Sequence, residues 1–317
     1  MHVSFQPMRL LLGACFVLST VLFSSCKKDD TPVTTNTITD IVLTNNDFTL
    51  LRAAVQRAGL ADALRGGSLT VFAPTDAAFR AAGYADVAAI NAASVASLTS
   101  LLQYHVVGSR ITAANIPAAQ NTAVPSLLTT NGTLYVSKVG SNVSVNGRRV
   151  TTADVAADNG IVHVIDGVLI PPSGDVVAAV IGNPQNFSLL AQAVQRAGAG
   201  VITALQSTTA ATVFAPTNQA FIDAGLSATA INATDPAVLA RVLSYHVVPG
   251  RVFSTLLTDG VTPATLLGPT VRVNVSSAGV TVTGQGNGTN AATVVSANNL
   301  TSNAVIHGIN RVLLPPP

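Results

Sequence analysis

The sequence predicts an α+β protein made of two tandem domains of one fold. Three observations carry this. A strand-to-helix corner, Leu69 to Phe79, returns as Ala211 to Phe221 at a spacing of 142 residues, counted from Val71 to Val213. Three further blocks recur around it in the same order. Within each copy, helical periodicity comes first and two-residue alternation last, the pattern of helices packed on an antiparallel sheet. A repeat of this size buries its own core, so the copies are domains and not turns of a solenoid.

The first block, Phe48 to Gly59, matches Phe187 to Gly198. Phe48, Leu51, Val55 and Ala58 fall on one helical face, with Arg52, Gln56 and Arg57 off it. Gly59 and Gly198 stand where a glycine ends a helix. The second block is the corner. Its alternating Val and Phe suit a half-buried strand, which Pro74 terminates. Thr75 is placed as an N-cap, and Asp76 puts a carboxylate at the positive end of the next helix. The third block, Leu98 to Arg110, matches Leu239 to Arg251. Leu98, Leu101, Leu102 and His105 share a helical stripe, as do Leu239, Val242, Leu243 and His246, and Asp235-Pro236 supplies a cap and first turn. The fourth, Asn159 to Pro172, matches Asn303 to Pro316 and reads as a β-branched strand closed by prolines. Alternating runs at 133–139, 143–150, 271–275 and 280–283 complete the sheets, and Asn146-Gly147 marks a hairpin turn.

The N-terminus reads as a targeting segment. Arg9 precedes an apolar run, Leu10 to Phe23, that is short for a membrane span, and Ser24-Ser25-Cys26 follows. This resembles the cleavage box of bacterial lipoproteins, with Phe23 where leucine is usual. Residues 1–25 are then a lipoprotein signal peptide, and Cys26 is the lipidation site. Cys15 lies in the removed segment, so Cys26 has no intramolecular partner, and its acyl chains attach the protein to the membrane. Lys27-Lys28-Asp29-Asp30 resembles the charged tether of outer-membrane lipoproteins. Residues 26–37 form a flexible tether, and the stalk-like composition runs on to Thr39. Domain one then spans 38–172 and domain two 173–317.

Composition narrows the function. Only 9% of the 317 residues are charged, there is no glutamate, and lysine occurs only at 27, 28 and 138. No basic stripe exists to track nucleic acid. No cysteine or glutamate joins the histidines at metal-ligand spacing, so neither metal nor other cofactor is expected. Of the groups a hydrolase would use, His105, His163 and Asp166 occur in copy one, but Asn310 replaces Asp166 in copy two, and no serine sits in a nucleophile elbow. Gly66-Gly67 and Gly284 to Gly288 lack the residues of a phosphate loop and read as ordinary loops.

Three boxes, in this order and twice over, resemble the fasciclin-like domain: Thr-Val-Phe-Ala-Pro-Thr, the Tyr-His pair (Tyr104-His105, Tyr245-His246), and Asn-Gly-Ile-Val-His-Val-Ile-Asp-Gly-Val-Leu. The resemblance covers about residues 38 to 316. It implies a wedge-shaped antiparallel β-sandwich with packed helices, and adhesive or matrix-binding work. In animal members an Asp-Ile pair just before the last box and the Tyr-His region are implicated in integrin binding. Carried over, these make Asp154, Val155, Tyr104, His105, Tyr245 and His246 the candidate adhesion residues. In copy two the dipeptide reads Asn298-Asn299, without the carboxylate. The expected function is non-enzymatic adhesion to a matrix protein, glycan or cell-surface partner from the outer membrane. The alternative is a periplasm-facing ligand carrier or assembly factor with an apolar crevice.

Overall fold

A computed structural model describes residues 1–2 and 36–317. The signal peptide, Cys26 and the charged tether lie outside the described residues. Thr35–Pro317 forms one compact unit, and within it each domain has its own pair of apolar cores.

Domain one runs α1 (Ile38–Thr44), α2 (Thr49–Ala58), β1 (Leu69–Pro74), α3 (Asp76–Ala81), α4 (Val87–Ala92), α5 (Val95–Tyr104), β2 (Val106–Val107), β3 (Thr122–Pro125), β4 (Thr133–Val139), β5 (Asn142–Val145), β6 (Arg148–Ala157) and β7 (Gly160–Ile165). Domain two runs α6 (Val176–Ile181), α7 (Pro184–Ala197), α8 (Ala199–Ser207), β8 (Ala211–Pro216), α9 (Asn218–Asp223), α10 (Ala228–Ala233), α11 (Pro236–Tyr245), β9 (Val247–Pro249), β10 (Val271–Ser276), β11 (Gly279–Gly284), β12 (Ala292–Leu300) and β13 (Ala304–Ile309). The sheets are ordered β2-β1-β7-β6-β5-β4-β3 and β9-β8-β13-β12-β11-β10. The two orders correspond, with β3 reduced in domain two to a bridge between Ala264 and Thr270.

Neighbouring strands are antiparallel except the central pairs. β1 with β7 and β8 with β13 run parallel. The hairpins follow the sequence expectation and this pair departs from it, because a parallel partner arrives by a long crossover that local alternation does not encode. β6 turns the sheet into two layers. Its first residues pair with β5 and the rest with β7, across register shifts on either side of Thr152. Bulges of this kind bend a strand, and β12 carries shifts at the same stage.

β1 is buried throughout because both of its faces are covered. Leu69, Val71 and Ala73 meet the helices beside Phe48, Leu51, Val55 and Leu98. Phe72 points the other way, between the sheet layers, with Tyr104, Leu134, Val145 and Ile165. This is strand alternation serving two cores, and β8 divides in the same manner, Val213 to the helices and Phe214 to the sandwich.

The corner has the predicted caps: Thr75 Oγ1 accepts from the Ala78 N–H at 3.2 Å, and Thr217 Oγ1 from the Ala220 N–H at 3.3 Å. Asp76 does more than sit at a helix start. Its Oδ1 accepts from the Leu50 N–H at 2.7 Å and ties α2 to α3, and Asn218 does the same for Leu189 at 3.0 Å. A neutral amide suffices, so the position needs an acceptor and not a charge. Gly59 ends α2 in the left-handed region at φ +68°. Gly198 differs: at φ +95° with extended ψ it ends α7 and leads straight into α8, a helix the repeat did not predict. The stalk reading is corrected at its end. Thr37 and Asp40 form a reciprocal capping box, and Ile38, Thr39 and Val42 are buried, so the chain is ordered from Thr37 onward.

Candidate functional site

The Tyr-His pairs are interior groups. Tyr104, His105, Tyr245 and His246 are all buried, which corrects the expectation that they offer a contact surface in the folded chain. Each histidine is the C-cap of its helix. His105 Nε2 accepts from the Leu169 N–H at 2.9 Å, which leaves Nδ1 to donate to the Leu101 carbonyl at 2.8 Å. His246 repeats this with Leu313 and Val242. Both rings are neutral, because burial draws their pKa down to about 4. They join the last helix to the chain just after the final strand. Tyr104 Oη donates to the Thr133 carbonyl at 3.0 Å and accepts from Asn146 Nδ2 at 2.9 Å. Tyr104→Phe leaves both partners unsatisfied and is expected to destabilise domain one by about 1–3 kcal/mol, read as a lower denaturant midpoint. A midpoint unchanged within error would remove the tyrosine from the account of stability.

The candidate dipeptide lies on the β6 bulge. Asp154 is exposed and adopts φ +58°, while Val155 is half-buried and packs on the helix-side core. The Asp154 N–H donates to His163 Nδ1 at 3.2 Å, and Asp154 Oδ1 accepts from the Ala113 N–H at 2.8 Å. His163 Nε2 then donates to the Ile111 carbonyl at 2.9 Å, and its ring stacks on Phe72 at 5.6 Å. In domain two Asn298, at φ +63°, stands in the same place. Its N–H meets His307 Nδ1 at 3.4 Å, its Oδ1 accepts from Ser254 at 2.7 Å, and His307 reaches the Val252 carbonyl at 2.9 Å. Asp166 and Asn310 form a third such pair, accepting from the N–H groups of Arg149 and Thr293. His105, His163 and Asp166 thus each bond to backbone and do not meet as a catalytic set. Among the described residues no cluster of three or more His, Cys, Asp or Glu is arranged to hold a metal.

The second bulge is a docking surface. The domain-one hairpin β5–β6, through its Asn146-Gly147 turn, φ +47° and +73°, rests on the segment 251–255 and on Asn298. Asn298 Nδ2 donates to the Gly147 carbonyl at 3.0 Å, and Asn121 Nδ2 to the Arg251 carbonyl at 2.6 Å. The Thr255 and Ser144 hydroxyls meet at 3.1 Å, and the Arg251 guanidinium lies 4.2 Å from the centroid of the Tyr135 ring. A polar crevice of about 140 Å³, lined by Asn146, Arg148, Asn298 and Asn299 among others, follows the seam. Sequence reasoning missed these residues. Their signal lies in differences between the copies: Tyr135 and Phe253 are aromatic where Arg272 and Thr112 stand in the other copy. Among the described residues, the corresponding face of domain one, Arg110 to Ala114 with Asp154, carries no other domain. Asp154, Arg110 and Ala114 are exposed on it.

The Fasciclin domain profile matches residues 46–171 and again 185–315. Human periostin is 31% identical over 242 residues, which cover 75% of this chain and 27% of periostin. Protein sll1483 of Synechocystis is 41% identical over 147 residues, 43% of this chain and 74% of that protein. The transforming growth factor-beta-induced protein ig-h3 of Sus scrofa is 37% identical over 139 residues, 43% of this chain and 20% of that protein. The matched segments therefore span about a quarter of periostin and a fifth of porcine ig-h3. The solved FAS1 domain pair of the insect cell adhesion molecule Fasciclin I aligns over 84% of this chain and 97% of its own, at 19% identity and a TM-score of 0.42. With the profile matched twice over most of its length, the chain belongs to the fasciclin domain family.

Proposed function

We propose that the protein is a non-enzymatic adhesion module, held at the bacterial outer membrane by a lipidated Cys26 and facing outward, with the open bulge of domain one as its contact surface. Membership of the fasciclin family supports the adhesive role. The occupied bulge of domain two supports the choice of surface, because the same backbone arrangement there already binds a protein hairpin. The occupants differ in chemistry. Asn298 donates to a carbonyl, whereas the Asp154 carboxylate only accepts. Its partner therefore presents N–H, O–H or cationic groups, on a matrix protein, a glycan or another cell surface. Individual contacts are weak, and many anchored copies engaging together strengthen them. The histidines support a non-enzymatic reading, since their ring nitrogens are taken up by backbone.

The test immobilises the 35–317 chain and measures retention of cells and matrix. Asp154→Asn keeps the acceptor for Ala113 and removes the charge. It is expected to reduce retention at least tenfold while leaving stability unchanged. Retention equal to the parent, for Asp154→Asn and for Asp154→Lys alike, would sink the assignment to this surface. Protease treatment of intact cells tests orientation: shedding of the domains is expected, and full protection would place them on the periplasmic side.

A further inference from the structure

The two domains differ in the space between helices and sheet. In domain one, the gap bounded by Val42, Leu51, Val55, Leu64, Phe72 and His105 encloses about 80 Å³. The corresponding gap in domain two encloses about 240 Å³ and is lined by Val180, Leu190, Val194, Ile202, Leu205 and Phe214 among others. The difference traces to the segment after the second helix. In domain one Leu60 and Leu64 fold inward through tight turns. In domain two that segment is α8, whose one buried side chain is Leu205, so the helix stands off the sheet.

An apolar cavity of about 150 Å³ stays dry and takes up benzene. The domain-two cavity is larger, and below Gln195 at its rim the wall offers no free polar handle. His246 lies on it, but its Nε2 is engaged by the Leu313 N–H and its Nδ1 by the Val242 carbonyl. The mouth lies between α6, α7 and α8. Ile181 is 51% exposed there, and Gln195 is exposed beside it. α8 is held at its C-terminal end, where Asn303 Nδ2 donates to the Leu205 carbonyl at 2.8 Å, and is weakly fixed at its start. It has no side-chain N-cap, it follows Gly198 at φ +95°, and Val201 and Ile202 are only half-buried.

We infer that domain two binds a hydrocarbon ligand, a single acyl-like chain or one apolar ring, in the cavity beneath α8, with any polar head left at the mouth beside Gln195. This goes beyond the adhesion reading and does not rest on it: the cavity is in domain two and the proposed contact surface in domain one. The ligand's binding energy is hydrophobic burial, which a dry, preformed site supplies without directional bonds.

The test titrates the 35–317 chain with N-phenyl-1-naphthylamine, an uncharged apolar fluorophore. Saturable one-site binding is expected, and saturating probe raises the thermal midpoint of the chain. Ala191→Leu and Val194→Phe each project into the cavity and are expected to weaken binding at least tenfold. Val55→Phe, in the corresponding wall of domain one, leaves the affinity unchanged. Competition assigns the source of the chain: decanoate displaces the probe if the ligand is free, and phosphatidylethanolamine vesicles displace it if the ligand is a membrane lipid tail. Absence of saturable binding overturns the inference. So does binding undiminished in a filled variant that melts cooperatively, or failure of both competitors. Should both filled variants fail to fold, the midpoint shift of the parent decides, and no shift at saturation counts against the site.

Discussion

Acidifying a solution of the protein from about pH 7 to about pH 4.5 is expected to cost each domain about 2 kcal/mol of stability, through one buried histidine apiece. His105 and His246 are neutral in the fold, with pKa drawn to about 4 by burial, against about 6.5 in an unfolded chain. The sign follows from proton counts. Between pH 6.5 and 4 the unfolded state binds the proton and the folded state does not, so stability falls as pH falls through that window. Above about 6.5 neither state is protonated and the contribution is fully present. His307 in domain two is lowered in the same direction, also by burial, so domain two is expected to weaken the more steeply. Asp40, held below the usual carboxylate range first by the Thr37 hydroxyl, titrates beneath this window and does not blur it. Urea unfolding at a series of pH values checks the slope. The control is the double variant His105→Gln and His246→Gln. It removes the titration and keeps hydrogen-bonding groups near Leu101 and Leu169, and near Val242 and Leu313. Its baseline stability is lower, and its profile is flatter between pH 6.5 and 4. A parent profile already flat across that range would refute the account, as would a double variant with the parent's slope.

These histidines show what the sequence made legible. Their place on an apolar stripe, twice, after a tyrosine, pointed to neutral interior groups more than to ligands or proton donors. The family resemblance then pulled them toward the surface as adhesion candidates. Burial settles their position: a residue at a helix C-cap, spanning to the backbone after the last strand, has no side left for a partner. The repeat made the corner, its caps, the Asn146-Gly147 hairpin and both closing strands readable, because each is dictated by residues close in sequence. The parallel β1–β7 pairing was not readable, since it joins residues some ninety positions apart and leaves no local pattern. Nor was α8, where one copy departs from the other and the repeat is silent. The bulge was half readable. An aspartate before the last box stood out, but its bond to Ala113 depends on the chain returning from the third block. Comparing copies clarifies its chemistry. Asp76 with Asn218, Asp166 with Asn310 and Asp154 with Asn298 all use Oδ1 to accept a backbone N–H. Charge is incidental to the fold at all three, so a charge kept on an exposed bulge is available for something else.

The exchange of that one atom between copies yields the second large effect. Asn298→Asp is expected to destabilise the seam between the domains by about 2–4 kcal/mol, whereas Asp154→Asn changes stability by no more than about 0.5 kcal/mol. Asn298 is 8% exposed. Its Nδ2 donates at 3.0 Å to the Gly147 carbonyl and at 2.7 Å to the Ser254 hydroxyl. Aspartate keeps the bond from the Ser254 N–H but sets a carboxylate oxygen against the Gly147 carbonyl. The Ser254 hydroxyl can rotate to donate, and the carbonyl cannot. The turn has little freedom to retreat, for a Cβ on Gly147 would lie 2.5 Å from Asn298 Cγ, and its φ of +73° holds the hairpin. Hydrogen exchange reads the outcome directly. Protection is expected to fall around Tyr135, Gly147 and Ser254 in Asn298→Asp, with the β1–β7 and β8–β13 pairs still protected, since each domain has its own cores. Equal effects of the two substitutions would show that the bulges do not differ in burden, and would undercut the use of the second as a guide to the first. An Asn298→Asp chain with parent-like exchange at the hairpin would remove the amide from the seam. The asymmetry matters because it separates two uses of one backbone motif: in domain two the side chain holds a neighbour in place, and in domain one it faces outward with the opposite hydrogen-bonding sense.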